Sequence, residues 1–425
     1  MSGLLNANAK RIPLADQSVH CCVTSPPYWG LRKYEGVEPS IWGGDAECEH
    51  VWDEHEHNPQ PHGDDGSGGN LEGGRHAQQQ TRMGAVRSGF CQRCGAWRGC
   101  LGLEPTPELY VEHITQIFRE VKRVLRDDGT CWLVIGDSYA SGGMSNPSTK
   151  STLGGGKDLG ASCYSILHRA PDLKPKDLVG IPWRVAFALQ ADGAASPETM
   201  RTVERIQAAL LADFDSWEAV PDRTRQEIEQ LQREWDDAHK GGWWLRSAIV
   251  WAKGNPMPES VKDRPTRSYE NVFLLAKAKR YYYDADAIRE PLTEWSVKAL
   301  KGNWHRKKTI KHAPGSAQDT GGTLNRGNYG TYINPAGRNK RDVWHVNTRP
   351  YKGAHFATFP PDLIEPMILA GCPEGGIVLD PFVGSGTTVA EAIRLGRHGI
   401  GLDLSGTYLH ELATERTAVV QPVLV

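Results

Sequence analysis

The chain has 425 residues, of which 39% are apolar and 24% charged, with 49 Lys and Arg against 51 Asp and Glu. That length can bury a large core, one main domain with attachments, and a formal net charge of −2 excludes a protein that binds polyanions with its whole surface. Neither a secretory leader nor a membrane-spanning run is read, and nine cysteines in such a chain argue for reduced thiols in a cytoplasm.

In chain order, Val19-His20-Cys21-Cys22-Val23 is a short apolar run of strand type. Thr24-Ser25-Pro26-Pro27-Tyr28-Trp29 follows. Two prolines cannot continue a sheet ladder, so the strand must stop and the backbone turn outward. That leaves the Ser25 hydroxyl, proline carbonyls and the Tyr28 ring at a strand's carboxyl end, the edge where open α/β sheets bind ligands. Hydroxyl and carbonyl acceptors suit an amino group, and an aromatic face suits a flat base. Arg32 and Lys33 come next, and two cations beside a turn are more often solvated than bound to phosphate.

Residues 40–103 change character. Gly63 to Gly89 is rich in Gly, Gln, Asp and Arg and predicts a mobile loop. Cys48-Glu49-His50 precedes it and Cys91-Gln92-Arg93-Cys94-Gly95 follows. Cys48, His50, Cys91 and Cys94 form a candidate ligand set for a structural zinc that would staple the loop's base. Cys100, His55, His57, His62 and His76 are spare ligands, and a pair of reduced surface cysteines is the plainer alternative.

Glu108 to Leu125 reads as an amphipathic helix with Leu109, Ile114, Ile117, Phe118, Val121 and Leu125 on one face. Asp127-Asp128-Gly129 is its expected stop. Cys131 to Ile135 is the next buried strand, and it delivers Asp137 and Ser138 as turn caps or ligand contacts. Residues 140–162 are Gly/Ser-rich and read as a flap, and Pro182 to Gln190 as a helix. Residues 191–240 carry 12 acidic and 6 basic side chains at helical spacing, an acidic hairpin to be kept away from polyanions. Trp243 to Trp251 reads as a strand. Phe273 to Ala276 and Tyr281 to Tyr283 read as a hairpin, and Asn255-Pro256 as either a pocket wall or a plain turn.

Residues 297–352 hold 12 Lys and Arg against 2 Asp and Glu, with Trp304, Tyr329, Tyr332, Trp344 and Tyr351 interleaved. Such clustering in a near-neutral protein is what phosphate neutralisation requires, so this is the expected DNA contact. Phe359-Pro360 precedes a helix at Pro361 to Ala370. Gly376 to Asp380 reads as a buried strand, Pro381 to Thr388 as a glycine-rich turn and Val389 to Leu395 as a helix. His398 to Asp403 is a second strand ending in an acid, and the 23 residues from Asp380 to Asp403 suit a βαβ unit.

Ser25-Pro26-Pro27-Tyr28 and Asp380-Pro381-Phe382-Val383-Gly384-Ser385-Gly386 resemble the two signatures of the amino-group DNA methyltransferases. Those enzymes make N4-methylcytosine or N6-methyladenine with S-adenosylmethionine. The catalytic signature comes first here, as in the permuted beta group, and the resemblance spans most of the chain outside two insertions. It implies an α/β, Rossmann-like, S-adenosylmethionine-dependent methyltransferase fold in permuted order. The catalytic part is expected at 1–39, a long loop with zinc at 40–103, core at 104–193 and 242–290, the helical hairpin at 194–241, target recognition at 291–350 and the cofactor part at 351–425.

On this resemblance Ser25, Pro26, Pro27 and Tyr28 are catalytic, with the hydroxyl and the Pro26 carbonyl accepting from the amine and Tyr28 stacked on an extruded base. Gly384 and Gly386 let the backbone approach the methionine part of the cofactor. Ser385 and Thr387 lie at the helix N-terminus that faces its carboxylate. Asp380 holds its amino group, directly or through water, and Asp403 its ribose. Phe359, with Pro360, and Phe382 cover apolar parts. Serine at the first position of the tetrapeptide is the usual mark of N4-cytosine enzymes, and Asp or Asn of N6-adenine enzymes. The implied function is site-specific methylation of double-stranded DNA at cytosine N4, with adenine N6 as the alternative and a cognate restriction endonuclease as partner. A methylase of RNA or protein amines, or an inactive DNA-binding protein, ranks behind. A nicotinamide site competes poorly because position 389 is Val and not a third glycine. Cytosine C5 chemistry lacks its Pro-Cys dipeptide.

Overall fold

The computed structural model describes residues 2–30, 37–53, 55–57, 86–140, 173–193, 221–226, 229, 241–294, 296–297, 334–349, 359–406, 409 and 413–418. Its strands are β1 (Gly3–Asn6), β2 (Val19–Thr24), β3 (Ser40–Trp42), β4 (His55–His57), β5 (Val86–Phe90), β6 (Trp97–Gly99), β7 (Leu125–Ile135), β8 (Trp244–Ala252), β9 (Tyr269–Ala276), β10 (Val343–His345), β11 (Ile377–Asp380) and β12 (His398–Asp403). Helices α1 (Pro107–Val124), α2 (Ile181–Ala191), α3 (Pro361–Gly371), α4 (Thr387–Arg394) and α5 (Thr414–Ala418) accompany them. No helix among the described residues is long and apolar enough to cross a membrane.

Eight strands form one sheet in the order β1-β12-β11-β2-β7-β9-β8-β10. β9 runs antiparallel to both its neighbours, and the other pairings are parallel. The carboxyl ends of β2, β7, β8, β11 and β12 therefore share one edge, and β9 begins there. Alternation along the strands builds two cores. Cys22, Leu379, Cys131, Leu133, Ile135, Phe273 and Leu275 face Ile114, Phe118 and Val121 of α1 and Val185 and Leu189 of α2. Cys21, Val23, Val378, Trp132, Val134, Val272 and Leu274 face Leu363, Ile364, Met367 and Ile368 of α3.

Several expectations are corrected. Gly3–Asn6, too short to show alternation, is the β1 edge strand beside β12. α1 starts at Pro107 behind a Thr106 N-cap, and its buried face includes Tyr110 and His113, while Leu109 is only partly covered. The Asp127-Asp128-Gly129 stop lies within β7, where the register against β2 shifts between Val19 and Cys21. β9 forms its hairpin with β8 and not with Tyr281 to Tyr283, which are outside any strand.

Residues 40–103 are not simply a long loop. β3, β6, β5 and β4 form a four-stranded antiparallel sheet, so the stretch read as mobile ends in a strand at Val86–Phe90. Val343–His345, at the end of the expected recognition segment, joins the main sheet beside β8. The flap, most of the acidic hairpin, Arg32, Lys33 and residues 298–333 of the basic segment lie outside the described residues.

Gly371 closes α3 against the sheet. A Cβ there would meet Thr130 Oγ1 and Trp132 Nε1 at 2.6 Å and Cys21 Sγ at 2.9 Å. All three belong to fully buried residues. Gly371→Ala should cost about 1–3 kcal/mol, the usual penalty of overpacking, read as a lower urea midpoint at unchanged slope.

Candidate active site

β2 and β11 are hydrogen-bonded neighbours, with Cys21 beside Val378 and Cys22 beside Leu379. The last residue of each strand touches the other. Thr24 Oγ1 donates to Asp380 Oδ1 at 2.6 Å across 356 positions of sequence. Thr388 Oγ1, from the first turn of α4, donates to Asp380 Oδ2 at 2.6 Å, and Phe382 N–H donates to Oδ1 at 3.1 Å. Asp380 is 1% exposed. Burial pushes its carboxyl up to about 6, against the pull of the Thr24 and Thr388 hydroxyls. A carboxylate so enclosed faces the framework, and its charge reaches outward through the hydroxyls that hold it.

Past Thr24 the Pro26-Pro27 pair leads the chain out of the sheet, and bonds off the ladder hold the turn. Tyr110 Oη donates to Pro27 O at 2.8 Å, Trp29 Nε1 to Glu104 O at 2.9 Å, and Gly30 N–H to Gly102 O at 2.8 Å. Gly102 is left-handed at φ +89°, and a Cβ there would lie 3.0 Å from Tyr28 O, so glycine is required on both counts. The Tyr28 ring lies on Gly136 at the end of β7, where a Cβ would approach ring carbons to 2.5 Å.

Ser25 Oγ donates to Tyr28 Oη at 3.2 Å, and Tyr28 Oη donates to Glu270 Oε2 at 2.8 Å. Lys253 pairs with Glu270 Oε1. With its proton directed at Tyr28, Ser25 Oγ keeps its lone pairs for another donor. Glu270 and Lys253 stand at the start of β9 and just past the end of β8, and the sequence reading missed both roles. The only signal was an acid three residues ahead of one predicted strand and a base two residues past another.

The glycine-rich turn runs from Asp380 into α4 with Gly384 at φ +48° and Gly386 at φ +81°. Gly386 is the N-cap and, lacking a side chain, offers the first α4 amides no cap bond. Gly384 N–H donates to Asp403 Oδ2 at 3.0 Å, and Ser405 N–H to Asp403 Oδ1 at 2.8 Å. Burial raises the Asp403 carboxyl, and each of its oxygens keeps acceptor capacity. Ser385 Oγ pairs with Thr387 Oγ1 at 3.3 Å and accepts from Arg416 at 3.0 Å. Uncapped amides, left-handed glycines and a strand-end acid form a donor and acceptor set that fits an amino-acid carboxylate beside a ribose.

Phe382 packs with the α1 side of the sheet and Phe359, ahead of buried Pro360, with the α3 side, so the two rings belong to different cores. Asn255 is committed elsewhere. Its Oδ1 accepts from Thr348 N–H at 2.9 Å, and its Nδ2 donates to Thr348 O at 3.0 Å. Asp137 Oδ1 accepts from Ser138 N–H and from Ile181 N–H, both at 2.9 Å, which makes it a cap for α2. Cys48, His50, Cys91 and Cys94 gather in the small sheet with ligand atoms all within 4.8 Å. Cys100 stands apart, with Sγ toward Val37 O at 3.8 Å. Burial pushes the Cys21 and Cys22 thiols well up and Cys372 to about 12, so these stay neutral packing groups.

Comparison with known proteins matches the DNA methylase family N6_N4_Mtase to residues 19–415. Type II methyltransferase M.Cfr9I of Citrobacter freundii is 33% identical over 96% of this chain and 83% of its own length. M.XycI of Xanthomonas campestris pv. cyanopsidis is 34% identical over the same shares. Among solved structures, PvuII DNA methyltransferase (cytosine-N4-specific) aligns at TM-score 0.43 and 12% identity, over 99% of this chain and 91% of that one.

The enclosed carboxylate gives a pH-dependent prediction. Because the Asp380 pKa is raised on folding, its favourable contribution is full below 3.8 and lost as pH rises through about 6. Thr388→Val removes a hydroxyl donor at near-constant shape and raises that pKa further. It should cost about 1–3 kcal/mol at about pH 8 and clearly less at about pH 5, measured by urea unfolding at both.

Proposed function

This chain belongs to the N6/N4 DNA methylase family, and from that premise we propose that it methylates the exocyclic N4 amine of cytosine at specific sites in double-stranded DNA. The observation that carries the reading is the hydroxyl of Ser25, oriented as an acceptor by Tyr28 and Glu270, just past a strand directly beside the one that leads into the glycine-rich turn. Serine at this position favours cytosine N4 over adenine N6. The relatives are type II methyltransferases by name, which supports a cognate restriction endonuclease as partner and a place in the cytoplasm beside the DNA.

S-adenosylmethionine, when bound, supplies an electrophilic methyl group on a sulfonium. Ser385 and the amides at the head of α4 would hold its carboxylate, with Thr387 beside them and Gly384 and Gly386 leaving room for its approach, and Asp403 would accept from its ribose hydroxyls. Asp380 adds negative charge behind Thr24 and Thr388 and so favours the cationic amino group without touching it. Phe359, Pro360 and Phe382 flank the apolar parts.

An aryl amine is a poor nucleophile because its lone pair is delocalised into the ring. Ser25 Oγ and the Pro26 carbonyl accept its two N–H bonds, which turns the lone pair out of conjugation and toward the methyl group. The Tyr28 ring holds the extruded base by stacking. One N–C bond forms as one S–C bond breaks, and the ring-attached nitrogen then sheds a proton to solvent. Orientation is the main gain, and no strong base is required. The basic segment within 291–350 neutralises phosphates and presents side chains to base edges.

Nucleoside mass spectrometry after reaction with duplex DNA should find N4-methylcytosine; N6-methyladenine would reverse the choice of base, and methyl transfer only to RNA or protein would reverse the choice of polymer. Ser25→Ala should lower kcat by about a hundredfold or more while cofactor affinity holds. Glu270→Gln keeps the shape and removes the charge. It should lower kcat by about tenfold, the worth of one charge-assisted hydrogen bond, with little change in KM for DNA.

A further inference from the structure

Cys48, His50, Cys91 and Cys94 come from two turns that backbone bonds hold face to face. Cys48 N–H donates to Asp45 O at 3.2 Å. Cys91 N–H donates to Ala96 O at 2.7 Å and Gly95 N–H to Cys91 O at 2.9 Å, with Gly95 left-handed at φ +74°. Gln92 N–H reaches Val51 O at 2.8 Å and Asp53 N–H reaches Phe90 O at 2.9 Å, while Trp52 bridges Cys91. These bonds lay the stretch after His50 along the stretch before Cys94.

Two of the separations come close to those around one ion, and the whole set lies within 4.8 Å. Cys48 Sγ lies 3.9 Å from Cys91 Sγ, and Cys94 Sγ lies 3.4 Å from His50 Nδ1. A tetrahedral zinc with Zn–S of about 2.3 Å and Zn–N of about 2.0–2.1 Å sets ligand–ligand edges of about 3.5–3.8 Å. A disulfide, at about 2.05 Å, does not describe the 3.9 Å pair. Three thiolates and an imidazole select zinc over the hard, oxygen-loving cations, and four protein ligands leave no open position for catalysis.

We propose that these four residues hold a structural Zn²⁺ that braces the catalytic loop. A packed path joins the two. Gly44 closes over Cys94, where a Cβ would lie 2.8 Å from Sγ. From the same small sheet, Trp42 and Trp97 both stack on His113, with centroids at 4.2 and 5.3 Å. His113 Nδ1 bonds Glu104 Oε1 at 2.9 Å, and Glu104 Oε2 accepts from Gly102 N–H at 2.8 Å. Glu104 and Gly102 are the residues whose carbonyls hold Trp29 and Gly30, directly after the Ser25-Pro26-Pro27-Tyr28 turn. The Glu104 side chain is fully buried and His113 nearly so, so this pair keeps its place only while the two tryptophans cover it.

The full-length protein, purified from cells grown with zinc, should carry about one equivalent of zinc by plasma mass spectrometry. Cobalt exchanged into it should give thiolate charge-transfer and tetrahedral d–d bands. Cys91→Ser and Cys94→Ser should each lose the metal at least tenfold. Wild-type protein with under about a tenth of an equivalent and no tetrahedral cobalt spectrum overturns the site, and stoichiometric iron in its place overturns zinc. Chelation of the wild-type metal should lower kcat more than cofactor affinity; an unchanged kcat overturns the bracing. The metal and cobalt readings do not depend on methyl transfer, so they stand or fall apart from the proposed reaction.

Discussion

The active-site edge depends on one buried carboxylate. Asp380 ends β11, Thr24 ends β2 and Thr388 opens α4, and three bonds to Asp380 fix all of them and the Phe382 amide. Two segments from opposite ends of the chain are thereby held in one register at the edge proposed for the chemistry. A neutral clasp of apolar groups would join the strands as well, but it would place no charge behind the cofactor loop. A fully buried acid with only hydroxyl and amide donors is costly, and this is reflected in its raised pKa. At Asp380 the fold carries that cost with no cation beside it among the described partners.

Around this clasp the sheet sorts its tasks by strand. β11 and β12 carry the glycine turn and Asp403, and β2 carries the Ser25 turn. β9 supplies Glu270, which accepts from Tyr28, and Lys253 just past β8 pairs with Glu270. The antiparallel β9 matters here because its first residues, and not its last, lie at the functional edge. A parallel strand in that place would present a carboxyl end and a following loop. β9 instead arrives from a loop and delivers Glu270 directly under the tyrosine.

The framework was legible where chemistry and pattern coincide. The two signatures, the strands leading into them and the helix of α1 stand out because prolines, glycines and apolar runs are local signals. Gly3–Asn6 was not legible, since four residues with one polar end hold no period. The Asp127–Gly129 stretch was misread because a bulge inside a strand uses the same residues as a helix stop. The Tyr281–Tyr283 hairpin failed for another reason: β-rich composition names a strand but not its partner, and β8 was the better partner by full-length register. Glu270 was hidden because a side-chain relay is set by tertiary placement, which composition does not encode. The four zinc-type ligands were visible as spacing, yet the small sheet that presents them was not, because its strands are three to five residues long.

Glu290 and Arg338 face each other as an antiparallel bridge, and the Glu290 carboxylate also takes the side chains of Arg338 at 3.0 Å and Arg341 at 3.3 Å. The chain thus leaves the core and returns to it at one closed gate. The ends of whatever lies between those two positions are already held together, and doubling its length adds only about 0.6 kcal/mol of closure entropy.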